Sequence, residues 1–176
     1  LIPNVFSADG RHAYNSVDAS LWYVWAVQML LQVDPQRMGF VKEYCWPAIK
    51  EILRAYAGGQ VPFVRADEEG FLDVGDEQTQ LTWMDAVVDG RPVTPRHGQP
   101  VEISALWYNA LAFADHLARR FDEPHWQDSV DQRDRMRAVF AHRHWIKDYR
   151  GDYLADVWRD GERDFRVRPN QLFAVS

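Results

Sequence analysis

Apolar positions along this chain fall into two kinds of segment. From about Val17 to Val33 they run nearly all round a helical repeat, broken only by Gln28 and Gln32, and the same holds from about Ile103 to Arg120, apolar through Phe113. Such segments are predicted as helices enclosed by other elements. Phe40 to Tyr56 and the stretch from Pro124 to Trp145 instead carry a single apolar stripe, as outer helices do. Pro47 should kink the first of these or start a fresh helix, and Gly58-Gly59 should end it. Arg168-Pro-Asn-Gln171 introduces what reads as a third enclosed helix. Asn15, Ser16 or Asp18 is the expected cap of the first.

Between the helices the pattern is not helical. Val61–Arg65 and Phe71–Val74 predict a hairpin across Asp67-Glu-Glu-Gly70, and Asp160-Gly161 marks a turn between short strands. The stretch through Thr82–Asp85 and Pro92-Val-Thr-Pro-Arg96 is a long, proline-punctuated loop, and long ordered loops are usually functional. Enclosed helix, surface helix, loop, repeated about twice, predicts an all-α ring of helical hairpins, a toroid with short β-hairpins in its loops.

The composition sharpens this. The chain of 176 residues suffices for one domain with a real core, but 8 Trp, 7 Tyr and 9 Phe exceed what that core needs. A formal net charge of −6, with both signs interleaved, speaks against a nucleic-acid partner and fits a neutral or cationic ligand. Cys45 stands alone, the amino-terminal residues lack the pattern of a signal peptide, and the longest apolar run, Leu21–Leu31, is too short to cross a bilayer. These features predict a cytoplasmic protein with no membrane partner. The six His residues and the Asp67–Gly70 acids lack metal-ligand spacing, so no metal or other cofactor is expected. There is no nucleophile elbow and no phosphate loop.

Three clusters pair an acid with a Trp at the mouth of an apolar helix or in the long loop: Asp18-Ala-Ser-Leu-Trp22, Thr82-Trp83-Met84-Asp85 and Glu102-Ile-Ser-Ala-Leu-Trp107. Carboxylates that bind hydroxyls or move protons, beside indoles that stack on pyranose C–H faces, are the equipment of a protein that grips and cleaves a sugar. In a toroid, Asp18, the Trp83–Asp85 loop, Arg96, Glu102 and Asn170-Gln171 would gather at one mouth. A general acid needs a raised pKa, and Asp85, set among Trp83, Met84, Ala86 and Val87, has the most apolar sequence setting of these acids.

Tyr14-Asn-Ser-Val-Asp-Ala-Ser-Leu-Trp22, Gln80-Leu-Thr-Trp-Met-Asp-Ala86, Val93-Thr-Pro-Arg96, Gln99-Pro-Val-Glu-Ile-Ser-Ala-Leu-Trp-Tyr-Asn109 and Arg168-Pro-Asn-Gln-Leu-Phe-Ala174, in this order, resemble the glycogen debranching enzymes in their amylo-α-1,6-glucosidase domain. Gln99 departs from the family, which often has a basic residue there. The resemblance implies an (α/α)6 toroid and inverting hydrolysis of the α-1,6-linked glucose left at a trimmed glycogen or α-glucan branch point. It implies Asp85 as general acid and a sugar pocket lined by Asp18, Trp22, Trp83, Arg96, Glu102, Trp107, Asn170 and Gln171. It also implies a catalytic base in a later part of the domain, beyond Ser176. About twelve helices would need roughly twice this length, so residues 1–176 are expected to be a single partial domain, inactive alone and prone to self-association through exposed inner-helix surface. Another toroid glycosidase, a disaccharide phosphorylase using Arg96 for phosphate, or a non-catalytic α-glucan-binding helical module are the alternatives.

Overall fold

The computed structural model describes residues 1–123 and 127–175, with the side chains of residues 6 and 127–129 left aside. Among these residues there are five α-helices: α1 (Asp18–Val33), the short α2 (Met38–Phe40), α3 (Trp46–Ala57), α4 (Val101–Arg120) and α5 (Gln127–His144). The predicted break at Pro124 and the first residues of the predicted outer helix, with His125, lie outside the described residues, as does Ser176.

Helix α4 is the axis of the molecule. Its residues Val101–Ser104, Leu106, Trp107, Ala110, Leu111, Phe113, Ala114, Leu117 and Ala118 are buried, because α1, α3, α5 and a 3-10 helix at Pro169–Ala174 all pack on it. The all-round apolar pattern is realised here. In α1 it is not: Leu21, Val24, Val27 and Leu31 are buried, while Trp25 is 41% and Val33 86% exposed. The third enclosed helix is a single 3-10 segment with Leu172 and Phe173 on the surface.

The expectation of an all-α (α/α)6 toroid is therefore corrected. The chain is about 48% helical and 15% strand, and its helices do not form six hairpins. An all-round apolar pattern tells that a helix has apolar chemistry on every side, not that partners cover each side, and in α1 one side has none.

Pro47 stands in the first turn of a fresh α-helix, one of the two outcomes expected of it. Met38–Phe40 runs through a π-helical turn, Val41–Cys45, into α3, with the Trp46 N–H bonding the Val41 carbonyl. A proline ring crowds the carbonyl four residues back, and widening the turn before it makes the room. Phe40 and Tyr44, expected on the buried stripe, are exposed and pack on each other at 5.1 Å. Trp145, expected inward, is also exposed.

The strands are short, antiparallel and confined to the connections. Val64–Ala66 pairs with Leu72–Val74 across the predicted turn, where Asp67 accepts from the Phe71 N–H at 2.9 Å. Gly70 at φ +92° leaves no space for a Cβ, which would lie 2.3 Å from the Gln132 side chain. Val157–Arg159 pairs with Glu162–Arg163 over Asp160-Gly161, both at positive φ as a tight hairpin turn requires, and on its other edge with Gln99–Pro100. That three-stranded sheet sets the amino end of α4 against residue 156, some sixty positions on.

Candidate functional site

Arg96, on the loop before α4, is buried, and each of its three guanidinium nitrogens meets a carboxylate. Nε and Nη2 donate to the two oxygens of Asp156 at 2.8 and 2.9 Å, Nη2 also donates to Glu102 Oε2 at 2.6 Å, and Nη1 donates to Glu102 Oε1. Glu102 lies in the first turn of α4, where the helix dipole favours an anion, and the Val101 N–H is satisfied by the Asp156 carbonyl at 3.0 Å. Arg168 donates to the same carboxylate of Asp156. Two guanidinium groups thus face two buried carboxylates, a neutral set in which each charge has an opposite neighbour.

Burial opposes the charge on Arg96, but Glu102 and Asp156 outweigh it and hold the guanidinium above its ordinary range. Burial likewise pushes the Glu102 carboxyl up, against the pull of Arg96.

Asn170, with 0% exposure, extends this network toward the surface. Its Nδ2 donates to Asp156 Oδ1 at 2.7 Å and lies 3.5 Å from Met84 Sδ, and its Oδ1 accepts from Trp83 Nε1 at 3.0 Å. Thr82 Oγ1 accepts from Arg96 Nη1 at 3.3 Å, and the Leu81 carbonyl accepts from the Val17 N–H at 2.8 Å. Residues 81–84 are thereby tied down, while Trp83 keeps 53% of its surface open. Asp85 is exposed; the apolar walls expected from its neighbours are absent, since Ala86, Val87 and Val88 also face outward.

The structure thus brings together Trp83, Arg96, Glu102 and Asn170 from the expected set, with Asp85 at the edge. Several residues expected to contact sugar are buried or bonded within the protein. Trp107 is wholly buried, its Nε1 donating to the Gly70 carbonyl at 3.0 Å and its ring packed near Tyr56, so it is a core residue. Arg96, Glu102 and Asn170 are buried, Arg96 bonding Glu102 and Asp156 and Asn170 bonding Asp156 and Trp83, and Arg96 has no free edge for a phosphate. Gln171 is half-buried, its side-chain oxygen accepting from the Leu154 N–H at 3.1 Å. Asp18 is buried and accepts from the Ser16 hydroxyl, which itself accepts from the Ala19 N–H at 3.3 Å; the capping position falls on Val17, which supplies no side-chain cap bond, rather than on Asn15, Ser16 or Asp18. Trp22 lies apart, edge-on to Trp25 at 5.6 Å and to Phe173 at 5.2 Å, beside an open groove of about 350 Å³.

Sequence reasoning missed Asp156, the hub, and Arg168 as its partner. The available signal was an acid inside the apolar run Leu154-Ala155-Asp156-Val157, where an unpaired carboxylate would be costly.

His144, packed near Phe71 and Phe140, is a second buried ionisable group. Its Nδ1 is 3.4 Å from the Ala155 carbonyl, and among the described residues its Nε2 has no hydrogen-bond partner. Burial lowers its pKa to about 4, with Arg143 and Arg163 adding to the effect and the Ala155 carbonyl and Asp156 opposing it. The unfolded chain therefore binds a proton near pH 6.5 that the folded chain refuses until about pH 4. This stability is fully present above the unfolded value and is lost as pH falls through the folded one. Between pH 7.5 and 5 its loss is expected to be about 2 kcal/mol. Urea titrations at the two pH values should show that difference shrink in His144→Phe; an unchanged difference would refute the assignment.

Among the described residues no cluster of His, Cys, Asp or Glu is placed to hold a metal ion, and no helix is long and apolar enough to cross a membrane. No curated protein sequence matches the chain. The sequence model of one family, described as amylo-alpha-1,6-glucosidase, matches residues 1–176. With that match over its whole length, the chain belongs to the amylo-alpha-1,6-glucosidase family.

Proposed function

We propose that the chain serves the hydrolysis of α-1,6-linked glucose at branch points of glycogen or a related α-glucan, with Asp85 as the general acid. The observation that carries this reading is the contrast within one motif. Trp83 and Asp85 are exposed, an aromatic face and a carboxylate two residues apart, while Thr82 between them and the core is buried on the ionic network. A ring stacked on the Trp83 face would have a glycosidic oxygen within the loop's reach. Inversion requires a second carboxylate to activate water on the far side of the sugar. Glu102 does not suit that role, because both its oxygens are held by Arg96. The test is release of free glucose from a branched limit dextrin by the full-length protein, against linear maltooligosaccharides as control. Release from the linear chains alone would refute it.

The engagement of Glu102 favours a second reading, an α-glucan-binding role without catalysis. Glucan affinity with no glucose release, unaffected by changing Asp85, would establish that one.

The open side of α1 supports self-association. Trp22, Trp25, Leu172 and Phe173 line one groove, and Val33 extends the apolar surface along the same helix. Contiguous apolar surface of this kind is normally covered by a partner. Sedimentation of the 176-residue chain is expected to show oligomers that Trp25→Glu disperses. A monomer at all concentrations would exclude it.

A further inference from the structure

We propose that Asp156 and Asn170 are positioning residues for the loop carrying Asp85, acting through the indole of Trp83. The inference rests on the reading of Asp85 as proton donor. An amide has one accepting and one donating end. The Asp156 carboxylate only accepts and the Trp83 indole N–H only donates, so both require the same orientation of Asn170. Its NH2 faces Asp156 at 2.7 Å, and its carbonyl faces Trp83 at 3.0 Å. The flipped amide would set oxygen against carboxylate and N–H against N–H. Arg96 and Arg168 fix Asp156 in turn, each donating to its Oδ2.

The result is a chain of single-orientation contacts from the buried ionic set to the rim. Trp83 is pinned by the edge of its ring, which leaves the face open. Thr82 and Leu81 are tied separately, to Arg96 and to the Val17 N–H. Asp85 follows two residues after the pinned indole, so the loop's placement is passed to its carboxyl. A direct sugar contact by Asn170 would require breaking these bonds, since its oxygen and its amide nitrogen are both engaged and no part of it is exposed.

The experiment compares Trp83→Phe, which keeps an aromatic face and removes only the donor, with Asn170→Ala in the full-length protein. Trp83 is half-open, so the first variant tests the tether even if the second fails to fold. Amide hydrogen exchange across residues 82–86 is expected to speed up about tenfold or more in both, while α4 stays protected. On a branched limit dextrin, kcat is expected to fall about tenfold with KM within about twofold, and the double variant to be no worse than the single ones. Unchanged exchange at 82–86 would overturn the proposal, as would a raised KM at constant kcat, which marks a sugar contact. Asp85→Asn is the control that separates the two ideas: if it left kcat intact while exchange rose in the tether variants, the proton-donor reading would fall and the tether would stand.

Discussion

Asp85→Asn is expected to lower turnover of natural α-1,6 branches by about a hundredfold or more in the full-length protein, with glucan affinity changed only a few-fold. The carboxyl is exposed and not bound up in the ionic network, so the substitution should leave the fold as it is. On the proposed reading, what it removes is the proton delivered to the departing sugar oxygen. The loss should accordingly depend on how much the leaving group needs that proton. A glucosyl substrate with an activated leaving group should be hydrolysed with a much smaller deficit than the dextrin. Equal losses on both would mean that Asp85 holds the loop or the sugar and is not the acid.

A second large effect is expected at Asp156, this time on stability. Asp156→Ala leaves buried Arg96 with Glu102 and half-buried Arg168 with Asp164 at 3.4 Å, and removes the carboxylate acceptor of Asn170. Deleting one member of a buried ion set costs about 3–5 kcal/mol, because the charges left behind lose a counter-ion that water does not replace. Asp156→Asn should fall between Ala and the native residue, since it keeps an oxygen but not the charge. Urea unfolding monitored by fluorescence measures both. A loss below about 1 kcal/mol for Asp156→Ala would show that the network relaxes or hydrates, which its burial argues against.

How much of this was legible follows from the range over which each feature is decided. The bounds of α1 and α4 come from apolar repeats within about twenty positions, and the turns at Asp67–Gly70 and Asp160-Gly161 from residues that tolerate positive φ. Each lies on the page of the sequence. The covering of α1 depends on distant partners, so the same apolar signal produced one enclosed helix and one half-open one. Trp83 and Trp107 occupy comparable acid-and-indole motifs, yet one is a rim residue and the other is core. The difference is made by the Gly70 carbonyl that receives the Trp107 N–H across 37 positions. The Arg96–Asp156 pair spans 60 positions and exists because a three-stranded sheet aligns Gln99–Pro100 with Val157–Arg159. The motif resemblance pointed to the right family and named most of the convergent residues. It did not tell which of them are exposed at the rim and which are buried behind those that are.

The seclusion of Arg96 has a consequence for the medium in which the site works. Dissolved ions screen exposed charges over roughly 8 Å at physiological strength, but they do not enter a dry pair. Surface pairs of this chain, such as Arg11–Asp9 and Arg119–Asp115, lose their attraction as salt is added. The pairs beneath Trp83 do not, because the Arg96 and Asp156 side chains are 2% and 0% exposed. An uncharged polysaccharide feels no electrostatic steering either. The placement of the indole is thus decoupled from ionic strength, and the shape of the loop, with its encounter with the neutral glucan proposed above, is expected to be the same in dilute buffer as in concentrated salt.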